Sequence, residues 1–109
     1  MGAIRAALDG LAARQRIAAQ NIANGDTPGY IAGRVNFEDS LKGAIEGGNL
    51  STFGVSSGQS DNPVNANGNN VSVDEENVSL VDTGLRFQLM TEAMNNQFHI
   101  LKTSIRRDA

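Results

Sequence analysis

His99 is the chain's single histidine and the side chain best suited to move a proton near neutral pH. Such a base works through a nucleophile or a carboxylate that orients it. His99 stands between Phe98 and Ile100 in an apolar helical stretch, and the chain has no cysteine. One histidine and no thiolate leave little from which to build a zinc site. The acidic run Asp74-Glu75-Glu76 lacks the alternating ligands and the glycine of a calcium loop. Asn49, Asn70 and Asn77 each begin an Asn-X-Ser triplet, which asparagine-rich sequence produces by chance. No catalytic, cofactor-binding or metal-ligating residue is predicted, and the chain does not read as an enzyme.

Charge narrows the partners. The 109 residues carry a net charge of −3, which argues against nucleic acid. Arg5, Arg14 and Arg16 lie near the start, Lys102, Arg106 and Arg107 near the end, and no basic residue falls between Lys42 and Arg86. These clusters read as solvated faces. No apolar run approaches the ~20 residues that cross a bilayer. The opening MGAIRAALDG lacks the continuous apolar core of a signal peptide. That leaves three expectations open: a cytoplasmic protein, one already processed, or one that leaves the cell without a cleaved signal.

The elements follow from periodicity. Ile4, Leu8, Leu11, Gln15, Ala18 and Ile22 alternate spacings of four and three, which predicts a helix over Ala3 to Asn24 with one polar seam member. The stretch NIANGDTPGY, Asn21 to Tyr30, then stops it. Asn24 and Gly25 tolerate the left-handed conformation that closes many helices. Thr27 precedes a proline and is pushed out of helical space. Thr27-Pro28-Gly29-Tyr30 fits a type II turn. Asn21, one turn earlier, is expected to bond the free backbone groups of that turn.

Beyond it, Val35 and Phe37 suggest a strand-like step. Asn36 is a candidate cap for a short helix whose face is Phe37, Leu41 and Ile45. Residues 47–70 are dominated by Gly, Ser, Asn and Gln and predict a mobile linker. Ser72-Val73-Asp74-Glu75 is a capping box, and a long helix is expected from Val73 to about Arg106. Its acidic start and basic end match the helix dipole. Leu80, Phe87, Met94 and Leu101 recur every seven, with Gly84, Thr91, Phe98 and Ile105 as a companion seam. Val78, Val81, Leu85 and Leu89 form a further stripe. With 39% apolar residues, four Phe, one Tyr and no Trp, the rest of the chain is too thin to bury so wide a face.

The expected fold is mainly α. Long N- and C-terminal helices form an antiparallel, coiled-coil-like hairpin around a short polar, partly disordered middle. Residues 1–30 and 73–109 would make the coiled-coil core and 31–72 the middle piece. Assembly through the ends is the functional expectation.

LDGLAARQRIAAQNIANGDTPGY resembles the N-terminal signature of the bacterial flagellar axial proteins, the rod and hook family. The matching positions are Gln20, Asn21, Ile22, Ala23 and Asn24, then Thr27, Pro28, Gly29 and Tyr30. Gly25 stands where the family often has Ala or Val. The C-terminal stretch is similar to the proximal-rod branch through Asn69, Asn70, Val71, Asp74, Glu75, Leu85, Phe87 and Gln88.

The resemblance implies a non-enzymatic subunit of the basal-body rod in the periplasm, exported by the flagellar type III apparatus without a cleaved signal. Its implied partners are further copies of itself, neighbouring rod proteins, the rod-base adaptor and the membrane ring. Neither a small-molecule substrate nor a cofactor is implied. Asn21 to Asn24 and Thr27 to Tyr30 would form the joint, and Leu8, Leu11, Ile22, Leu80, Leu85, Phe87, Met94, Phe98, Leu101 and Ile105 the assembly surface. The rival readings are a small acidic type III secretion chaperone or regulator, and the other short proximal rod protein.

Overall fold

The computed structural model describes residues 2–108, with side chains through Arg106. The order is α1 (Gly2–Ala23), β1 (Gly33–Val35), α2 (Glu38–Glu46), a 3-10 turn (Leu50–Thr52), β2 (Ser57–Gln59) and α3 (Val73–Asp108). At one end α1 meets the start of α3, where a Cβ on Gly25 would stand 3.3 Å from a Val73 methyl. At the other, Ala3, Ile4 and Ala7 share a groove with Arg86 and Met90. The two long helices are therefore antiparallel, as the seams predict.

The end of α1 is reached differently from expectation. Neither Asn24 nor Gly25 is left-handed. Tightening turns close the helix instead: Asn24 N–H donates to Gln20 O at 3.1 Å and Asn21 O at 3.2 Å, and Gly25 N–H to Ile22 O at 3.1 Å. Gly25 does not use its freedom of φ; a Cβ there would press on both the Ile22 carbonyl at 3.2 Å and the Val73 methyl at 3.3 Å. The turn after it is as predicted. Tyr30 N–H donates to Thr27 O at 3.3 Å, and Gly29 has φ +74°, the positive value that a type II turn demands at that position.

Only half of the capping box forms. Ser72 Oγ accepts the Glu75 N–H at 3.3 Å, but the Glu75 carboxylate turns to Arg34 and Asn62 instead of back to Ser72. Asn36 does not cap α2. Phe37 holds that position with no side-chain cap bond, and the Glu38 carboxylate accepts the Phe37 N–H at 3.3 Å.

The middle is not the loose linker that its composition suggests. β1 and β2 pair antiparallel, Gly33 opposite Gln59 and Val35 opposite Ser57. Val35, Phe37 and Leu41 are buried, and with Leu11 and Ala13 of α1 they make the core. Ile17, Leu50, Phe53, Val55 and Met90 pack around it. The core thus sits where α1 meets the middle piece, rather than along the whole hairpin. A Cβ on Gly10 would fall 2.5 Å from the Phe37 ring, so a glycine inside α1 is what lets that ring lie against the helix.

The α3 seam is only partly used. The buried residues of α3 are Glu76 and Thr83, which belong to neither predicted seam; Leu80 and Met94 are half-buried and Leu101 is 56% exposed, while Gly84, Phe98 and Ile105 of the companion seam are exposed. The cause is length: α1 has 22 residues and α3 has 36. At 1.5 Å per residue the shorter helix gives out about 20 Å before the longer one. Gln15 is exposed, so the α1 seam is broken at its one polar member. The chain is a slat of 67 × 27 × 13 Å. Its radius of gyration is 17.8 Å, against about 13 Å for a compact domain of this length. No helix among the described residues is long and apolar enough to cross a membrane.

Candidate assembly interface

Three features could carry a function built on contact: a stapled joint, a charged relay and an uncovered helix face. The joint is held by three buried asparagines. Asn21, 1% exposed, donates from Nδ2 to Gly33 O at 3.0 Å and accepts the Gly33 N–H at Oδ1 at 2.9 Å. Its amide imitates a strand edge, so it fastens β1 to α1 rather than bonding the turn as expected. Asn69 Nδ2 donates to Asn24 O at 2.9 Å and Thr27 O at 2.7 Å, adding a second donor to the two carbonyls that already accept the turn's own N–H groups just past α1. Asn70 Oδ1 accepts the Ala32 N–H at 2.7 Å, while its Nδ2 reaches Ser60 O and Asn62 O. Gly29 N–H donates to Asn67 O at 2.9 Å, which docks the turn on the same loop. Buried polar groups are tolerable when every hydrogen-bonding capacity is met, and then they fix one geometry.

The relay runs across all three helices. The Arg14 guanidinium makes a two-pronged pair with Glu38 at 2.6 and 2.7 Å, donates to Val35 O at 2.8 Å and lies 4.9 Å from the Phe37 ring centre. Glu38 also faces Arg86 at 3.7 Å, and Arg86 holds Asp82 at 2.9 Å. The Arg14 hydrogen bonds hold the Glu38 carboxyl down at about 2, with partial burial opposing them. The same pair pushes Arg14 upward. The Asn62 amide, and then Arg34, lower Glu75.

The uncovered surface belongs to α3 and lies on two roughly opposite sides of it, since twenty residues, the spacing from Val78 to Phe98, turn an α-helix by about 200° beyond whole turns. Val78, Val81, Leu85 and Leu89 are 59–69% exposed, and Phe98, Ile100, Leu101 and Ile105 are 51–61% exposed. Such a run is longer than the scattered apolar residues normal on a surface, and it marks a site of contact.

No family model matches the chain. Individual relatives do. The flagellar basal body rod protein FlgB of Bacillus subtilis is 34% identical over 83% of this chain and 80% of its own length. The FlgB of Escherichia coli is 31% identical over 84% and 81%. That of Borreliella burgdorferi is 31% identical over 88% and 85%. The chain belongs to the FlgB family.

Within this FlgB-family chain the expected joint and assembly residues occupy different places. Asn21 is buried, Ile22, Asn24 and Tyr30 are half-buried, and Ala23, Thr27, Pro28 and Gly29 are exposed. These gather at one end of the slat. Among the expected assembly residues Leu11 is buried in the core, and Leu8, Ile22, Leu80 and Met94 are half-buried. Leu85, Phe87, Phe98, Leu101 and Ile105 are exposed. Leu11 therefore has an internal partner, and the open surface is on α3. Sequence reasoning passed over Arg14, Glu38 and Gly10, and did not read Asn69 and Asn70 as staples. A pair of asparagines next to a capping box was the available signal.

Proposed function

We propose that the protein is a structural subunit of the flagellar proximal rod, self-assembling through its terminal helices into the shaft that transmits torque. Membership of the FlgB family supports the rod. The observation that carries assembly is the exposed apolar face of α3 on a slat too thin to cover it. Leu85, Phe87, Phe98, Leu101 and Ile105 meet other copies and neighbouring rod proteins. The Asn21–Tyr30 joint sets the angle at which the middle piece leaves the long helices. The subunit works in the periplasm, at the rod base beside the adaptor and membrane-ring proteins. It reaches that place through the flagellar type III apparatus, unfolded and without loss of a signal peptide.

Deleting the gene from its host, and restoring it with an affinity tag, tests this reading. Loss of swimming on deletion, with the tagged chain recovered in purified basal bodies, is expected. Full motility without the protein would refute it.

A further inference from the structure

The two exposed stripes of α3 repeat one pattern. Val78, Val81 and Leu85 recur twenty positions on as Phe98, Leu101 and Ile105. All six side chains are at least half exposed. Their surroundings are opposite in charge. The first stripe lies beside Asp74, Glu75, Glu76 and Asp82, of which Glu75 and Asp82 are paired with Arg34 and Arg86, and the second beside Lys102 and Arg106.

The first stripe also adjoins a recess. Val78 and Asp82 line both a shallow apolar groove with Val81 and Leu85, and a cleft of about 650 Å³ between α1, β1 and the start of α3. Arg14 and Arg34 in the cleft wall are already paired, with Glu38 and Glu75. Glu76 lines the same cleft, 3% exposed as a residue. The acids of the cleft do not converge in the manner of a metal site, as no group of three or more ligating side chains forms among the described residues.

We infer that the cleft and its stripe receive the C-terminal end of α3 from a second copy of this chain. The two α3 helices run parallel, offset by about 30 Å, the rise of twenty helical residues. Phe98, Leu101 and Ile105 of one copy then cover Val78, Val81 and Leu85 of the other. Lys102 falls level with Asp82. Its side chain, leaning toward the helix N-terminus, brings the ammonium toward Glu76 and Asp82. Arg86, level with Arg106, is already turned on Asp82 and Glu38. The contact uses different surfaces on its two sides, so it does not close on itself and propagates as a filament. The inference rests on the rod-subunit reading and adds which surfaces of two copies meet, and in what register.

The absence of native cysteine makes cross-linking a clean test. Val81→Cys and Leu101→Cys in one chain lie too far apart on a single helix to bridge within a molecule. Under mild oxidation the double variant should give a ladder of multimers. Equal parts of the two single variants should give dimers only, and each alone should stay monomeric. Lys102→Glu in the double variant should remove the ladder, and so should high salt. Circular dichroism checks that each variant keeps its helices.

A Leu101→Cys chain that dimerises alone as readily as the mixture would overturn the staggered contact, and so would a folded double variant that gives no ladder. If the ladder is absent while the reduced double variant still enters basal bodies, the contact is wrong and the rod reading stands. If the ladder forms but the chain is missing from basal bodies, the contact stands and the rod reading fails.

Discussion

The loop before α3 and the last third of α3 invert the usual partition of side chains in opposite ways. In the first, Asn69 and Asn70 are buried at 1% and 4% exposure. In the second, Phe98, Leu101 and Ile105 are 51–61% exposed. The loop is polar yet closed, because its amides meet backbone groups from residues 24, 27, 32, 60 and 62 of the same chain. The tail is apolar yet open, because α1 ends before reaching it. Burial here follows the supply of internal partners more than hydropathy. One end of the molecule is complete by itself and the other is not.

The largest effect should come from breaking the closed end. Asn70→Leu keeps the volume but strands the Ala32 N–H and the Ser60 carbonyl. An orphaned buried group costs about 1–3 kcal/mol, so a loss on the order of 3 kcal/mol is expected in urea unfolding. A loss below ~1 kcal/mol would mean that the loop is not a staple.

The turn should follow. Pro28→Ala with Gly29→Val forces a β-branched residue to φ +74°. Such strain costs about 1–3 kcal/mol. The helices should persist by circular dichroism while hydrogen exchange quickens at residues 67–70. Motility should fall while export continues. Normal swimming would remove the joint from the account.

The open end should respond in the reverse manner. Phe98→Asp with Ile105→Asp should change monomer stability by no more than about 0.5 kcal/mol per site, as surface substitutions do. The same variant should abolish incorporation into basal bodies. A large stability loss with wild-type assembly would show that these residues are packed internally.

The smallest effect concerns pH. Glu38 titrates at about 2 rather than 4.5, because Arg14 holds its carboxylate. A lowered carboxyl stabilises the fold above pH 4.5, and that contribution fades as pH falls toward 2. Glu38→Gln should therefore flatten the stability profile across that window and leave its slope at neutral pH unchanged. The pair is partly exposed, so the change is small.

What could be read from the sequence was whatever local chemistry decides. The Thr27–Tyr30 turn, the start of α3 at Val73 and the two long helices follow from residues close together in the chain. The middle could not be read in that way. Asparagine favours turns and linkers on its own, and becomes a staple only when distant carbonyls arrive. The Ala32–Asn70 bond spans 38 positions, which no local pattern announces. Gly25 was misread for a related reason: its φ is ordinary, and a Cβ there would meet the Ile22 carbonyl and a Val73 methyl. Gly10 gave no sign of Phe37. The open end of α3 was legible because helix length sets it, whereas Val78, Val81, Leu85 and Leu89 are open although α1 runs alongside that part of the helix.

A thickness of 13 Å is little more than one helix. A layer so thin has two broad sides and only a small core between α1 and the middle piece, so the apolar side chains along α3 face solvent in the single chain. Its order then depends on concentration. Anything that binds the folded form raises apparent stability by mass action, and in the proposed assembly that ligand is a further copy of the chain. A subunit joining a growing end of that assembly would gain there the order that the single chain lacks.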